Sequence, residues 1–218
     1  MPSTDPAAPE TSSRRPRGRP PKSVDARDDG NRRQALLVAA AQLFRRQGFS
    51  ATTTRDIAAA VGMRSGSPFY HFKSKDALLC AVMEEGMQVA LQRQRAVFAV
   101  PDHAHWPPAR QLRGLVEAHF EVMLGPGNDF VPVMLYERRS LQPHQRKSLT
   151  LLVTEYESLW TPVLSALHAS GQLRAPVALS RLLILGALNW SVQWFDAKKG
   201  ASVQELADAA MALFVKEC

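Results

Sequence analysis

Residues 53–79 read T-T-R-D-I-A-A-A-V-G-M-R-S-G-S-P-F-Y-H-F-K-S-K-D-A-L-L, and this stretch decides the fold. Thr53 and Asp56 are spaced as in a capping box, with Asp in place of the usual Glu. A small apolar face follows, and Gly62 supplies a stop signal. The pattern therefore predicts a short helix that begins near Thr53 and ends at Gly62.

A second short helix is expected after the turn. Arg64 or Ser65 can cap it, and it runs to about Phe72. Pro68 is tolerated in the first turn of such a helix, because the N–H that proline lacks has no intrahelical partner there. A short alanine-rich helix, a glycine turn and a second short helix together predict a helix-turn-helix.

The flanking segments also have helical patterns. Upstream, Leu36, Ala40 and Phe44 recur at four-residue intervals, and Gly48 marks a stop. Downstream, Ser74 is a good N-cap for a long helix. Helices are predicted over residues 75–99, 109–124, 129–140, 143–170, 178–196 and 202–217. We therefore predict an all-α protein.

The four consecutive ring-bearing side chains, Phe69 to Phe72, are expected to point in different directions from the helix. The second helix of a helix-turn-helix enters the major groove, and small residues at its start permit close approach to DNA. Phe72 is expected to face the first helix as core, while Tyr70 and His71 point elsewhere. Because hydroxyl and imidazole groups often bind the DNA backbone, the pattern favours phosphate contacts for Tyr70 and His71.

Positive charge is concentrated in the first third of the chain. Residues 1–75 hold 14 Lys and Arg against 6 Asp and Glu, whereas residues 76–218 hold 13 against 14. Such an asymmetry is expected when one part of a chain approaches phosphates. Residues 34–75 alone carry a net charge of +5, so the segment expected to fold is more basic than the tail.

Residues 1–30 are rich in Pro, Ser, Thr and charge, and they cannot bury enough apolar area to fold alone. We expect a disordered basic tail. Its R-G-R-P segment is similar to an AT-hook, which lays arginines into a narrow A·T minor groove. Arg17 and Arg19 are therefore either auxiliary DNA contacts or part of a solubilising tail.

Residues 32–80 resemble the DNA-binding domain of the TetR family of bacterial transcriptional repressors. The helix-turn-helix, its aromatic-His-Phe end and the Ser-Lys-Asp-x-Leu start of the next helix are all in register. The family usually has Leu and Tyr where this chain has Pro68 and Phe69, so a phosphate contact of that Tyr passes here to Tyr70. The resemblance implies a homodimer and a small-molecule inducer bound in the C-terminal domain.

Candidate DNA-binding residues come from the tail, both short helices and the start of the long helix. Lys75 stands beside Lys73 at the positive end of a helix, where a phosphate is expected to bind. Arg64 is placed to reach either a guanine edge or a phosphate. The full set is Arg17, Arg19, Thr53, Thr54, Arg55, Arg64, Ser65, Gly66, Ser67, Phe69, Tyr70, His71 and Lys75.

Three parts of the chain are predicted. Residues 1–30 form the disordered basic tail with the AT-hook-like segment, and residues 31–76 form a three-helix helix-turn-helix DNA-binding domain. Residues 77–218 form a C-terminal helical domain for ligand binding and dimerisation. Its segment L-L-I-L-G-A-L-N-W-S-V-Q-W-F, residues 182–195, is apolar around most of the helix. That pattern predicts a two-fold four-helix interface, with a central core helix of a monomer as the alternative.

Candidate effector-binding residues are aromatic or polar groups on helices around the C-terminal core. They are His119, Phe120, Met123, Tyr156, Trp160, Asn189 and Trp190, each with a core role as the alternative. The segment L-Y-E-R-R-S-L, residues 135–141, is similar to TetR regulators of fatty-acid and steroid breakdown that respond to acyl-CoA thioesters. Arg138 and Arg139 are then either contacts to the CoA phosphates or part of a solvated helix face.

Other function classes find little support. The sequence has no nucleophile elbow, phosphate-binding loop, dinucleotide fingerprint or metalloprotease motif, so we expect neither an enzyme nor a cofactor. His103 and His105 have no third ligand in view, so we expect no metal site. With no secretory signal or membrane-length apolar run, a cytoplasmic location away from membranes is expected. The remaining alternative to a repressor is an architectural protein that binds DNA without sequence preference.

Overall fold

The computed structural model describes residues 22–63, 68–125 and 127–216, with side chains from residue 29 onward except those of residues 68 and 69. Every regular element within these ranges is helical, which confirms the all-α fold. The helices are α1 (Lys22–Gln47), α2 (Thr54–Ala60), α3 (Pro68–His71), α4 (Lys75–Phe98), α5 (Pro108–Leu124), α6 (Phe130–Glu137), α7 (Pro143–Ala169), α8 (Val177–Trp190) and α9 (Val203–Phe214).

The ends of α1 and α2 follow the sequence signals. Thr53 and Asp56 form the predicted capping box, in which each side chain bonds the backbone N–H of the other residue. Gly48 and Gly62 have φ angles of 83° and 66°, a left-handed conformation that glycine adopts without a steric penalty. Both helices therefore end at the predicted glycines. At its other end, α1 begins at Lys22, so it includes residues 22–30, which the sequence had assigned to the disordered tail.

Helix α4 is the central element of the fold. It packs against α1 on the N-terminal side and against α5, α6 and α7 on the C-terminal side. The buried apolar residues form one continuous cluster that includes Leu36 of α1, Leu91 of α4 and Trp160 of α7. The two parts of the chain therefore share one apolar core.

Helix α8 ends earlier than the sequence predicted. It stops at Trp190 and continues as a 3₁₀ turn, Ser191–Gln193. The buried hydroxyl of Ser191 donates a hydrogen bond of 2.7 Å to the carbonyl of Leu188. Serine competes for backbone acceptors in this way and weakens helix continuation. The apolar segment 182–195 is therefore not one helix throughout, and within the described residues no helix is long and apolar enough to cross a membrane.

Candidate DNA-binding surface and internal cavity

Three candidate DNA-binding residues lie at the start of α2. Thr53 caps the helix, whereas Thr54 and Arg55 are at least partly exposed. The Thr53 hydroxyl accepts from the Asp56 N–H at 3.1 Å and donates to the Asp56 carboxylate at 2.7 Å. These bonds lower the pKa of Asp56, and they use both hydrogen-bonding functions of the Thr53 hydroxyl. The structure therefore gives the Thr53 hydroxyl a capping role, and its DNA contact stays a prediction. Thr54 is partly exposed and Arg55 is exposed, so both remain predicted phosphate contacts.

Helix α3 separates Tyr70 from His71. Tyr70 is 80% exposed, as a DNA contact requires. The His71 side chain is only 5% exposed, and its Nδ1 lies 3.6 Å from the Asp29 carboxylate of α1. Consecutive helical residues point about 100° apart, so these two side chains do not share one face. The His71 ring packs inward, and its phosphate contact stays a prediction, whereas the prediction that Phe72 is core is confirmed.

Lys75 holds the loop between α1 and α2. Its ammonium group donates to the carbonyls of Phe49 and Thr52, each at 2.8 Å, and lies 4.2 Å from the centre of the Phe49 ring. The structure therefore gives Lys75 the role of a structural clamp, and its phosphate contact stays a prediction. The neighbouring Lys73 is exposed at the start of α4 and is the better phosphate candidate. The sequence places two lysines near the N-terminus of α4, but it does not show which of the two side chains turns inward.

Several predicted DNA contacts lie outside the described residues. They are Arg17, Arg19, Arg64, Ser65, Gly66, Ser67 and the side chain of Phe69. Their roles stay predictions. Arg64, Ser65, Gly66 and Ser67 directly precede α3 in the sequence.

An internal cavity of about 90 Å³ lies between α4, α5, α6, α7 and α8. Its walls are mainly apolar, and they include Met87, Val122, Met123, Val131, Met134 and Leu185. The polar side chains in the lining are His119, Tyr156, Glu157 and Asn189. An apolar cavity with a few convergent polar groups is the usual form of a small-molecule site.

The predicted effector-binding residues divide into two groups. His119, Met123, Tyr156 and Asn189 line the cavity, as a ligand-binding role requires. The other five do not line it: Phe120, Trp160, Arg138, Arg139 and Trp190.

Two of the five have core positions and three are exposed, so the effector-binding roles of these five residues stay predictions. Phe120 and Trp160 are fully buried core side chains, and the Trp160 ring centre lies 6.0 Å from that of His119. Arg138 and Arg139 are exposed in the turn after α6, where Arg138 donates to the Thr150 hydroxyl at 3.3 Å. Trp190 is 65% exposed on the outside of α8.

A buried chain of hydrogen bonds runs behind the cavity wall. The Gln94 amide donates to the carbonyl of Leu115 at 3.0 Å and to the Tyr156 hydroxyl at 2.8 Å. The Tyr156 hydroxyl lies 2.7 Å from Nδ1 of His119. Burial raises the pKa of Tyr156, and burial lowers the pKa of His119 to about 4. Both side chains are therefore neutral at pH 7.

Helix α6 joins the cavity to the DNA-binding part. Val131 and Met134 of α6 line the cavity. At the end of the same helix, the Glu137 carboxylate accepts a hydrogen bond of 2.9 Å from the backbone N–H of Phe49. At its start, Arg45 of α1 pairs with Asp129 at 2.9 Å. The sequence offered no signal for Glu137, because its partner lies 88 residues away along the chain.

The outer face of α8 is an exposed apolar stripe. Leu179, Leu182, Leu183 and Trp190 are between 55% and 65% exposed, and they recur at the spacing of one helical face. The opposite face of α8 buries Ile184, Leu185 and Leu188 in the core. A contiguous exposed apolar patch of this kind usually marks an interaction surface.

His103 has a packing role. It is buried, and its ring makes an edge-on contact with Phe98 and a tilted contact with Trp106, at centre distances of 4.8 and 5.0 Å. Among the residues that the structure describes, no three His, Cys, Asp or Glu side chains are grouped so that they could hold a metal ion.

The fold and this surface define a helix-turn-helix transcriptional regulator with a separate ligand-binding part. Two family models match the chain. Residues 36–82 match the bacterial regulatory proteins of the tetR family, and residues 105–218 match the tetracyclin repressor-like C-terminal domain. The protein belongs to the TetR family of transcriptional regulators, which bind DNA and are not enzymes.

Individual relatives agree with this assignment. The chain is 29% identical over 191 residues to the HTH-type transcriptional repressor KstR2 of Rhodococcus jostii, covering 86% of this chain and 91% of the relative. The crystal structure of superantigen PfiT is 36% identical with a TM-score of 0.70, covering 85% of this chain and 97% of that one. AibR, crystallised with isovaleryl coenzyme A and operator DNA, shares the fold at a TM-score of 0.76 and 22% identity, covering 84% and 97%.

Proposed function

We propose that this protein is a dimeric, cytoplasmic repressor that binds a palindromic operator and is released when an apolar effector fills the C-terminal cavity. The observation that carries the proposal is the position of α6. Its residues Val131 and Met134 form cavity wall, while Glu137 bonds the loop that connects α1 to α2.

The DNA-binding part of the proposal rests on the exposed groups around α2 and α3. We propose that this part spans residues 31–76, with residues 77–218 as the effector and dimerisation domain. The matched ranges 36–82 and 105–218 support that division. Arg55, Tyr70 and Lys73 are exposed on the described surface, and Arg64 to Ser67 directly precede α3 in the sequence. The basic tail with Arg17 and Arg19 supplies an auxiliary minor-groove contact.

A homodimer is proposed from the stripe on α8. Leu179, Leu182, Leu183 and Trp190 cannot all pack inside one copy, because the opposite face of α8 already fills the core. In a two-fold dimer, α8 and α9 of one copy would pack against α8 and α9 of the other, and the α8 stripes of both copies would be buried. Two recognition helices are then placed about 34 to 36 Å apart, one helical turn of DNA.

An acyl thioester is the effector class that we propose. A cavity of about 90 Å³ suits a short apolar group, and AibR, with the same fold, was crystallised with a short-chain acyl-CoA and operator DNA. The nucleotide part of a CoA is too large for this cavity and would lie outside it. Arg138 and Arg139, exposed at the end of α6, are available to its phosphates, with a solvated surface as the alternative role.

The proposed mechanism is a population shift. An effector that fits the cavity better when α6 is displaced favours a state in which Glu137 pulls on the loop at Phe49. The helix-turn-helix then changes its orientation, and the spacing of the two recognition helices no longer matches the operator.

DNase footprinting on the intergenic DNA upstream of the protein's own gene tests the DNA-binding claim. A short palindromic protected site supports the repressor. Broad coverage without sequence preference contradicts it and supports an architectural DNA-binding protein, to which the basic first third of the chain is also suited. A fluorescence-anisotropy titration at fixed salt, with a panel of acyl-CoAs, then identifies the thioester that lowers affinity for that site.

A further inference from the structure

The chain of hydrogen bonds behind the cavity fixes the orientation of Gln94. Its Nε2 lies 3.0 Å from the carbonyl of Leu115, and a carbonyl only accepts hydrogen bonds. The amide therefore turns its NH₂ group toward Leu115, and the second hydrogen of that group is directed to the Tyr156 hydroxyl at 2.8 Å. Tyr156 is thus an acceptor toward Gln94.

Tyr156 in turn fixes the tautomer of His119. With Gln94 donating to its oxygen, the hydroxyl hydrogen is free to be donated to His119 Nδ1 at 2.7 Å. A neutral imidazole whose Nδ1 accepts must carry its proton on Nε2. Burial keeps the ring neutral, because it lowers the pKa of His119 to about 4.

The Nε2–H group of His119 makes no hydrogen bond of normal geometry with the described part of the protein, although the Asn189 side chain lies near enough for a weak one. His119 is 5% exposed and lines the cavity. A buried N–H group without a hydrogen-bond acceptor has an energetic cost, so a ligand atom that accepts a hydrogen bond from it is strongly favoured. Asn189 also lines the cavity and lies close enough to the ring to offset part of the lowering of its pKa.

The charge of the lining narrows the choice of ligand. The Glu157 carboxylate lines the same cavity, and Arg181 compensates it from 3.3 Å. A ligand carboxylate in this apolar space would lose its hydration and lie near Glu157. A neutral oxygen acceptor has a smaller desolvation cost and no charge repulsion with Glu157.

Resting on the effector-binding function proposed above, we propose that His119 is the specificity-determining residue of the cavity. Its Nε2–H donates to a neutral carbonyl oxygen at the buried end of the effector, as in a thioester, ester or ketone. The site selects that group over the free carboxylic acid and over an amine of the same chain length.

The tautomer can be measured without any ligand. In protein labelled with ¹⁵N-histidine, long-range ¹H–¹⁵N NMR at pH 7 distinguishes a protonated from an unprotonated ring nitrogen. His119→Gln assigns the signal by its disappearance. We expect Nε2 to be protonated and Nδ1 unprotonated, and Tyr156→Phe to shift the Nδ1 resonance. A proton on Nδ1 would overturn the proposal.

Binding is tested with three six-carbon probes: methyl butyl ketone, hexanoate and hexylammonium, each titrated and followed by ligand-observed NMR. The ketone is expected to bind most tightly to the wild-type protein. His119→Leu is expected to weaken ketone binding about fivefold to tenfold, the loss of one neutral hydrogen bond. His119→Gln, which keeps an N–H donor at a similar distance along the side chain, is expected to retain most of the affinity. Equal binding of ketone and hexanoate, unchanged ketone binding by His119→Leu, or no ketone binding at all would contradict the proposal.

Operator titrations separate this proposal from the function on which it rests. If an acyl-CoA releases the operator from the wild type and equally from His119→Leu, the repressor function stands and the role of His119 fails. If no acyl-CoA alters operator binding while the ketone still binds in a His119-dependent manner, the carbonyl site stands and the thioester effector fails. Thermal unfolding of His119→Leu and His119→Gln checks that both variants are folded.

Discussion

The backbone N–H of Phe49 donates to the Glu137 carboxylate at 2.9 Å, and this bond joins the loop after α1 to the last residue of α6. The same carboxylate accepts from the Ser140 hydroxyl, also at 2.9 Å. Glu137 is therefore bonded both to the turn that follows α6 and to the loop between α1 and α2 in the DNA-binding part. Val131 and Met134, on the same helix, line the cavity.

Replacing Glu137 by Ala is expected to weaken the response to the effector. The variant loses a hydrogen bond to a charged acceptor, so we expect unfolding free energy to fall by about 1.5–3 kcal/mol. The ratio of operator dissociation constants with and without the acyl-CoA should decrease, because α6 no longer pulls on the loop. Glu137→Gln keeps an acceptor oxygen and serves as the control. An unchanged ratio in Glu137→Ala would rule out this route of coupling.

Substitutions of Lys75 and Lys73 are expected to have different effects, the first on stability and the second on DNA binding. Lys75→Met keeps an apolar stem but loses two bonds to backbone carbonyls, and urea unfolding should show a loss of about 1–3 kcal/mol. Lys73→Met should leave stability within about 0.5 kcal/mol. It should instead reduce the slope of log affinity against log salt by about 1, as expected when one phosphate contact is lost. If Lys75→Met instead reduced the salt slope and Lys73→Met reduced stability, Lys75 would be the phosphate contact.

Tyr70 and His71 make a similar pair within α3. Tyr70→Phe removes only an exposed hydroxyl, so it should weaken operator binding about threefold to tenfold with no change in melting temperature. His71→Ala removes a ring that packs against α1, and it should lower the melting temperature. Anisotropy titrations and thermal unfolding measure the two effects. Operator affinity that is insensitive to Tyr70→Phe would remove Tyr70 from the interface.

The stability of the protein should fall in acid because of His119. The pKa of His119 is lowered from 6.5 to about 4 by burial, so between these values the unfolded chain binds a proton that the folded chain excludes. Unfolding free energy then decreases as pH falls below about 6.5 and levels off below about 4, a loss of about 3 kcal/mol. His119→Gln should lack this component. The measurement is the difference between the urea unfolding curves of the two proteins at pH 7 and pH 4, and equal losses would contradict it.

The α8 stripe is expected to hold the dimer together. Leu182→Glu places a charge at the centre of the proposed interface, and sedimentation equilibrium should show a monomer at micromolar concentration. Leu151 supplies a matched control, because it is 67% exposed and lies on α7 instead of on the α8 stripe. Leu151→Glu should leave the mass unchanged. A wild-type protein that sediments as a monomer would rule out the interface.

Local signals in the sequence predicted local structure well. The capping box at Thr53, the stops at Gly48 and Gly62, and the core position of Phe72 all follow from residues a few positions apart, and all are confirmed. These features depend on backbone geometry and helical spacing, which a short segment determines by itself.

The structural roles that the sequence did not predict have one physical feature in common. Lys75, His71 and Trp160 have chemistry that suits a ligand, but partners far away in the chain decide where each side chain points. Lys75 finds carbonyls in the preceding loop, and His71 finds α1. The role of Gln94 was missed for the same reason, since its bond to Tyr156 spans 62 residues. Tertiary contacts of this kind leave no periodic pattern to detect.

The claim that an effector in the cavity lowers operator affinity is tested most directly by titrating wild type and Val153→Trp on the operator, at fixed salt, with each acyl-CoA in turn. Val153 lines the cavity, so a Trp side chain there fills space that the effector requires. We predict that one thioester raises the dissociation constant of the wild type about 5- to 150-fold, and that of Val153→Trp by much less. A wild-type dissociation constant that no thioester changes, or an equal change in both proteins, would contradict the account.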